Sequence, residues 1–294
     1  MAWGAELSAN WADIPVGKHL GERRVEVTPE LVARFADGCR DWNSWYTDGS
    51  PFGAPVAPAL IGSQEPWRFP GWYPLEVRGN LHIKQEWDLL NPILVGDTYI
   101  CSAFVAQRYL RRDRQVIVNE VMLRHPSGRP LARGRTHMAF LRRQPEGMVV
   151  DQERERSPDR RFEVDRVSAV ELLEGEIQVL TPELCRAAAD GKDNYHSNPA
   201  IAREWGFPAV VVQGVYNANI VSALLTRRFG AGWFSGGRMR MNFVNVTWGG
   251  DRVRAAVAVR RWVDEEPRRR AEADAWVEKE DGTVTAIGSV SALI

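Results

Sequence analysis

The sequence repeats its landmarks at a nearly constant interval, and this repeat limits the folds available to the chain. The pattern Thr28-Pro-Glu-Leu31 recurs as Thr181-Pro-Glu-Leu184, an offset of 153 residues (181 − 28). Three further pairs keep an offset of 154 residues: Gly96-Asp97 with Gly250-Asp251, Gly128 with Gly282, and Gly134 with Gly288. Landmarks that hold one spacing over so long a stretch indicate two copies of one structural unit.

The two copies differ at the position where acid–base chemistry would take place. His196 has no histidine counterpart in the first copy, although the surrounding landmarks are shared. The sequence therefore predicts one working site and one degenerate half.

Composition and charge exclude several classes of protein. The chain has 294 residues, 44% of them hydrophobic and 26% charged, with a formal net charge of zero, which is typical of globular domains and favours neither nucleic acid nor an anionic membrane. The cysteines are three in number and widely spaced, which argues against a disulfide framework and a metal-ligand cluster. No signal peptide or membrane-spanning run is visible, so we expect a cytoplasmic protein.

Each copy is predicted to consist of a helical lead-in followed by an antiparallel sheet. Thr28 and Thr181 suit N-caps followed by proline at the first helical position, and an apolar pattern over 215–228 predicts one long buried helix. A shorter helix over 57–64 would end before Pro66. Strands are expected at 77–88, 98–110, 114–125 and 131–142, and again at 237–247, 252–262, 268–279 and 283–293.

The charged, aperiodic stretch near residues 144–170 is interpreted as the connection between the copies. The predicted organisation is a degenerate N-terminal unit over 1–145, a linker over 146–170 and a catalytic unit over 171–294. Each unit is α+β in class.

The second copy resembles the MaoC-like (R)-specific enoyl-CoA hydratases and dehydratases. The residues that fall on the spacing of that family's motif are His196, Ala202, Gly206-Phe207 and Gly214. In the first copy, Asp41-x-Asn43-Ser44-x-Tyr46 resembles the same motif with tyrosine in place of histidine. The resemblance implies a double hot-dog fold, in which two antiparallel sheets each wrap around a central helix and pack as a pseudo-dimer. It also implies a degenerate half that makes room for the acyl tail.

The activity implied by the resemblance is that of a hydro-lyase that interconverts 3-hydroxyacyl and 2-enoyl thioesters. Histidine suits the proton transfer because its unperturbed pKa lies near neutrality, so His196 is the expected acid–base residue. The family's N–H donor to the thioester carbonyl corresponds to Gly214, at the start of the long helix. The family's catalytic aspartate, five residues before the histidine, is replaced by Gly191, so Asp193 either supplies the carboxylate or caps the loop.

Further residues are candidates for substrate binding, and each has a structural alternative. Gln213 either borders the carbonyl site or satisfies the helix end. Asn198 stands where the family has a second aspartate. Tyr46 either contacts the ligand or is a structural residue that remains from the motif in the degenerate half. Trp42 and Trp45, close to the degenerate loop, would line a pocket for a bulky acyl group or pack in the core.

Three other functions remain open at this point. Thioester hydrolysis would need a carboxylate or a polar residue that activates the nucleophile on the central helix. The polar residues near the start of that helix are Asn217 and Asn219, and neither is acidic. A dehydratase or isomerase of specialised metabolites would use the same pocket on a substrate not carried by CoA. A non-catalytic subunit would only bind the acyl group. We expect no metal and no cofactor beyond CoA or an acyl carrier protein that carries the substrate, and a monomer or homodimer.

Overall fold

The two sequence copies fold into two similar α+β halves. The structure is a computed structural model that describes residues 11–72, 80–112, 114–141 and 159–294. The helices are α1 Pro29–Cys39, α2 Pro182–Ala188, α3 Pro199–Glu204, α4 Gly214–Phe229 and α5 Ala231–Phe234. The strands of the first half are β1 His19–Glu26, β2 Leu81–Leu89, β3 Thr98–Arg111, β4 Arg114–Arg124 and β5 Pro130–Leu141. Those of the second half are β6 Glu171–Glu174, β7 Gln178–Val179, β8 Arg238–Phe243, β9 Arg252–Glu265, β10 Arg268–Lys279 and β11 Val284–Leu293.

All of these strands belong to one antiparallel sheet that runs through both halves. Its order is β1-β3-β4-β5-β2-β8-β11-β10-β9-β6, with β7 also paired to β9. The halves join where β2 pairs with β8, from Lys84 opposite Asn242 to Asp88 opposite Arg238. The expected pseudo-dimer of two antiparallel sheets is confirmed, and the two sheets are continuous with each other.

The structural repeat has the same period as the sequence repeat. The strands β3, β4 and β5 begin at Thr98, Arg114 and Pro130, and β9, β10 and β11 begin 154 residues later in each case. Local signals at the lead-in helices also repeat, since the Thr28 hydroxyl accepts from Leu31 N and the Thr181 hydroxyl accepts from Leu184 N. The threonine–proline pairs therefore begin the lead-in helix in the same way in both copies.

The long helix α4 is the centre of the core. Thirteen of its 16 residues are buried, which explains why its sequence is apolar on almost every side. The principal hydrophobic cluster includes side chains of both halves, such as Leu123 of β4 and Leu225 of α4. One core therefore supports both halves of the sheet.

The two halves differ in their central helix, which corrects one part of the sequence expectation. In place of the expected α-helix over 57–64, the first half has a 3₁₀ segment, Ile61–Arg68, that contains Pro66. Proline lacks the N–H that an α-helix needs at that position. An added Cβ at Gly62 would lie 2.6 Å from a methyl group of Leu123, so this segment packs closely on β4. The first half therefore has a central segment of 8 residues where the second half has the 16-residue helix α4.

The predicted boundaries at 145, 146–170 and 171 are not tested by the structure. Residues 142–158, which include much of the expected linker, lie outside the described residues. None of the described helices combines the length and the apolar character needed to cross a bilayer.

Candidate functional site

His196 lies in a tight loop between α2 and α3 that is held by short polar side chains. Asn194 Oδ1 accepts from His196 N at 2.8 Å, and the Ser197 hydroxyl donates to Lys192 O. Asn198 Oδ1 caps α3 by accepting from Ala200 N at 2.8 Å. These bonds fix the backbone on both sides of the histidine.

The imidazole of His196 is oriented by the backbone that leads into α4. Its Nδ1 lies 2.7 Å from Val211 O, and because a carbonyl oxygen only accepts, Nδ1 carries the hydrogen. Nε2 therefore holds the lone pair. Burial lowers the pKa of His196 to about 4, so the ring is a neutral base at neutral pH.

Gly214 begins α4 three residues after Val211. The N-cap Gln213 makes no side-chain capping bond, and the first N–H groups of a helix have no acceptor within it. The positive end of the helix dipole is also located here. The short segment 211–214 therefore has two roles. Val211 O bonds to the His196 ring, and Gly214 begins the helix whose first N–H groups suit an oxyanion.

The ring of Phe243, at the end of β8, covers Gly214. A Cβ added at Gly214 would lie 2.8 Å from Cδ2 of Phe243. We therefore expect Gly214→Ala to displace this ring and to lower the unfolding free energy by roughly 1–3 kcal/mol, as overpacking does. Urea denaturation measures this loss, and the double variant Gly214→Ala/Phe243→Leu should recover part of it. Equal stability of Gly214→Ala and the unsubstituted protein would contradict the close packing.

Asp193 does not lie beside the imidazole in a buried pocket. Its side chain is 55% exposed, lies 3.5 Å from Arg186, and accepts from Asn198 Nδ2 at 2.9 Å. The geometry favours the alternative in which Asp193 caps the loop. Both polar ends of Asn198 are likewise used within the loop, which favours a structural role over substrate contact.

His82, in β2, joins the site from the other half and was not identified as a functional residue from the sequence. Its ring lies 4.7 Å from that of Phe243 and 5.3 Å from that of Trp67, between centroids. Burial is the main cause that lowers its pKa to about 3, and charge on His137 or His196 lowers it further. A β-bulge between His82 and Lys84 reorients the strand here. The pairing of β2 with β8 is what brings His82 to the site. The sequence alone did not predict this pairing.

Gln213 connects the start of α4 to the 3₁₀ segment of the first half. Its Oε1 accepts from Gln64 Nε2 at 2.7 Å. Gln64 in turn lines a cavity of about 480 Å³, a size within the range of small-molecule sites. The described lining of this cavity includes none of the residues predicted to form the site, and Gln213 contacts it only through this hydrogen bond to Gln64.

The cavity lies between the lead-in helices, the 3₁₀ segment and α4, so both halves contribute to its wall. It is lined by Arg23, Val25, Glu26, Thr28, Leu31, Arg34, Phe35, Gly38, Cys39, Ile61, Gln64, Glu65, Arg68, Tyr99, Ala187, Ala188, Asp190, Tyr216 and Asn219. Glu65 is buried, and burial raises its pKa even though Arg23 and Tyr99 contact it. The short central segment of the first half is thus accompanied by an internal space next to α4.

Tyr46 occupies the position in the first half that His196 occupies in the second. Val56 N donates to Trp45 O at 2.9 Å, as Val211 N donates to Tyr195 O at 3.2 Å, so the two loops are related by the repeat. The Tyr46 hydroxyl donates to Asp41 Oδ2 at 2.5 Å, and both side chains are buried. Burial raises the pKa of both groups, which leaves a phenol that is not a base at neutral pH. This geometry favours a structural role for Tyr46 over contact with a ligand.

The two tryptophans near that loop do not line the cavity. Trp42 is 68% exposed and donates to Asp37 at 2.8 Å. Trp45 packs against Phe52 and Phe234, and a Cβ at Gly230 would lie 2.9 Å from its ring. This geometry favours packing over contact with an acyl group for both tryptophans. The described residues contain no group of three or more His, Cys, Asp or Glu side chains arranged to hold a metal ion.

Solved structures share this architecture over nearly the whole chain. A MaoC-like dehydratase from Phytophthora capsici is 15% identical, with a TM-score of 0.67, over 97% of this chain and 98% of that one. A conserved hypothetical protein from Mycobacterium tuberculosis, described as a double hotdog fold, is 13% identical, with a TM-score of 0.66, over 97% and 98%. HtdX from the same organism is 17% identical, with a TM-score of 0.55, over 92% and 97%.

The sequence itself matches no family model and no curated protein. At the identities given above, the likeness of the structures establishes a shared fold. The chain has the double hot-dog fold, as its sequence predicted.

Proposed function

We propose that the protein is a hydro-lyase that adds water to 2-enoyl thioesters and removes it from 3-hydroxyacyl thioesters. One observation carries the proposal: Nδ1 of His196 is bonded to Val211 O, which leaves a neutral Nε2 on a ring attached to the segment that begins α4. The fold shared with MaoC-like dehydratases supports it. The acyl group is carried on CoA or an acyl carrier protein.

In the hydration direction, Nε2 of His196 takes a proton from water as the water oxygen forms a bond to C3 of the enoyl group. The electron pair of the C2–C3 double bond moves toward the thioester carbonyl and gives an enolate. Gly214 N–H donates to the enolate oxygen, assisted by the helix dipole. The imidazolium then returns its proton to C2, so that H and OH have been added and the ring is neutral again.

His196 works in this scheme without a carboxylate partner. Val211 O orients the ring, since the Asp193 carboxylate is engaged with Asn198 and exposed. A carbonyl stabilises the imidazolium less than a carboxylate does, because it carries no full charge. The proposed enzyme is therefore a weaker base catalyst than one with an intact histidine–carboxylate pair.

Since His196 has no carboxylate partner in this scheme, a second candidate is also supported. This candidate is an acyl-binding protein that does not turn over its ligand. Incubation of the purified protein with crotonyl-CoA and longer enoyl-CoAs separates the two. Loss of the conjugated thioester absorbance, with the 3-hydroxyacyl product identified by mass spectrometry, is the expected result. Binding without loss of absorbance would favour the second candidate. Release of free thiol would indicate thioester hydrolysis, for which α4 offers no acidic residue.

The pH dependence of the rate reports the unusual pKa of His196. Its neutral form is the base, so kcat/KM should fall as the pH drops through about 4, instead of through 6.5 as for an unperturbed histidine. Stopped-assay rates between pH 3.5 and 8 measure this acid limb. A limb centred near 6.5 would contradict the burial of the ring.

The stability must be followed over the same pH range. The folded pKa values of His82, about 3, and His196, about 4, lie below the unfolded value of 6.5. The unfolded chain therefore binds more protons between these values, and the stability that is fully present above pH 6.5 declines as the pH falls. Circular dichroism at each pH identifies the range in which a lower rate reflects protonation of the base.

A further inference from the structure

The cavity beside the 3₁₀ segment is separate from the groups that carry the proposed chemistry. The part of its wall that the structure describes includes neither His196 nor Gly214. Its volume of about 480 Å³ is large enough for a small molecule. An occupant of this space would therefore be a second ligand, distinct from a thioester bound at the start of α4.

Part of the cavity wall is apolar. Val25 of β1, Leu31 and Phe35 of α1, and Ile61 of the 3₁₀ segment belong to it. The first three pack against the principal hydrophobic cluster but are only partly buried. An alkyl chain or a ring that covered this apolar surface would be bound by the hydrophobic effect.

Three arginines supply the polar part of the wall. Arg23 donates to Glu65 Oε2 at 3.1 Å, and this pair is neutral as a whole. Arg68 donates to Asp190 Oδ2 at 2.5 Å, and Arg34 Nε lies 3.0 Å from Oδ1 of the same carboxylate. A guanidinium group has five N–H donors, so these contacts use only part of what the arginines can donate. The wall therefore suits an occupant that accepts hydrogen bonds.

The charge near Asp190 is positive. Its single carboxylate contacts both Arg34 and Arg68, so this group of three side chains has one positive charge in excess. Glu26 also lines the cavity, but it is exposed and water screens its charge. Burial lowers the pKa of the nearby Lys192, and the charge of Arg68 lowers it more than Asp190 raises it. An anion with one charge would balance this excess.

We propose that the cavity binds an amphiphilic monocarboxylic acid, in its carboxylate form, as a ligand separate from the thioester. The carboxylate accepts hydrogen bonds from Arg34 and Arg68, and the apolar part of the ligand covers Leu31 and Phe35. An arginine and a carboxylate can form two parallel hydrogen bonds, which gives this end of the site its specificity. The assignment goes beyond the proposed function and does not depend on it.

Octanoate and 1-octanol test this assignment, because they share a carbon chain and differ in charge at neutral pH. Isothermal titration of the full chain gives the Kd of each. We expect octanoate to bind roughly tenfold more tightly than 1-octanol, as charge-assisted hydrogen bonds provide. Acetate, which is too short to cover the apolar wall, should bind on the order of 100-fold more weakly than octanoate.

Arg68→Gln removes one positive charge from the wall and leaves Arg34 beside Asp190. It should raise the Kd of octanoate roughly tenfold and leave that of 1-octanol unchanged. Arg34→Gln supplies the same comparison if Arg68→Gln does not fold. Arg124→Gln is the matched control, because Arg124 is exposed to a similar extent and pairs with Glu22 outside the lining. The control should leave both Kd values unchanged.

The outcomes separate this proposal from the proposed function. His196→Ala should bind octanoate as the unsubstituted protein does, and loss of binding in that variant would overturn a separate site. Equal or tighter binding of 1-octanol or acetate, an unchanged octanoate Kd in Arg68→Gln, or no binding of octanoate also overturns the proposal. Hydration of crotonyl-CoA is a different measurement, so the failure of one assignment leaves the other standing.

Discussion

Replacing His196 by alanine should lower kcat for enoyl-CoA hydration by about 10²–10⁴, the usual contribution of a positioned acid–base residue. The variant lacks Nε2, which takes the proton from water, and has no other neutral base on the loop. The partners of Asn194 and Asn198 are backbone atoms and Asp193, so the loop keeps the bonds that shape it. Steady-state hydration of the best enoyl-CoA, measured on the variant and the unsubstituted protein, checks this.

His125→Ala is the matched control for that experiment. His125 lies in the exposed turn between β4 and β5 and bonds only to Ser127 and the turn backbone. The control should keep its rate, and near-ultraviolet circular dichroism should be the same for both variants. A His196→Ala enzyme with unchanged kcat would remove this residue from the mechanism, while the fold would be unaffected.

Replacing Gly288 by alanine should lower the unfolding free energy by about 3 kcal/mol or more, the upper part of the range for overpacking. Gly288 lies in β11 opposite Met241 of β8, and an added Cβ would overlap the carbonyl oxygen of Arg240. The obstacle is backbone, so relief requires β11 and β8 to separate next to the joint between the halves. Guanidinium denaturation monitored by tryptophan fluorescence measures the change.

The repeat provides a graded comparison. At Gly134, the equivalent position in β5, an added Cβ would lie 2.6 Å from the ring of Trp87, a side chain. We expect Gly134→Ala to cost less than Gly288→Ala, because a side chain yields more easily than backbone. Ser289→Ala, at the exposed neighbouring position of β11, should change the stability by less than about 0.5 kcal/mol. Equal stability of Gly288→Ala and Ser289→Ala would contradict the close approach of the strands.

The features that the sequence predicted well are those determined by local signals repeated at one interval. Thr28-Pro29 and Thr181-Pro182 predicted two capped helices, and the structure contains both. The strands β3 to β5 and β9 to β11 lie within a few residues of their predicted ranges. Hydrogen bonding along the chain and the period of the apolar residues decide these elements, and both can be read from sequence.

The features that the sequence did not predict depend on contacts between distant segments. Helical spacing suggested an α-helix near Ala57–Gln64, but packing of Gly62 against Leu123 and the presence of Pro66 produce a 3₁₀ segment. His82 becomes part of the site only because β2 pairs with β8 and brings Phe243 to its ring. Asp193 had two possible orientations, and the choice depends on Asn198 and Arg186. The cavity was also not predicted, because the 3₁₀ segment supplies part of its lining through Ile61, Gln64 and Glu65.

Because β2 and β8 belong to one polypeptide, dilution cannot separate the two halves, and every substitution occurs once per molecule. In a homodimer of identical units, a change that shortened the central helix would shorten it in both units. Here the first half has the 3₁₀ segment Ile61–Arg68 and the second half has the long helix α4. Covalent linkage thus permits the central segment of one half to differ from that of the other.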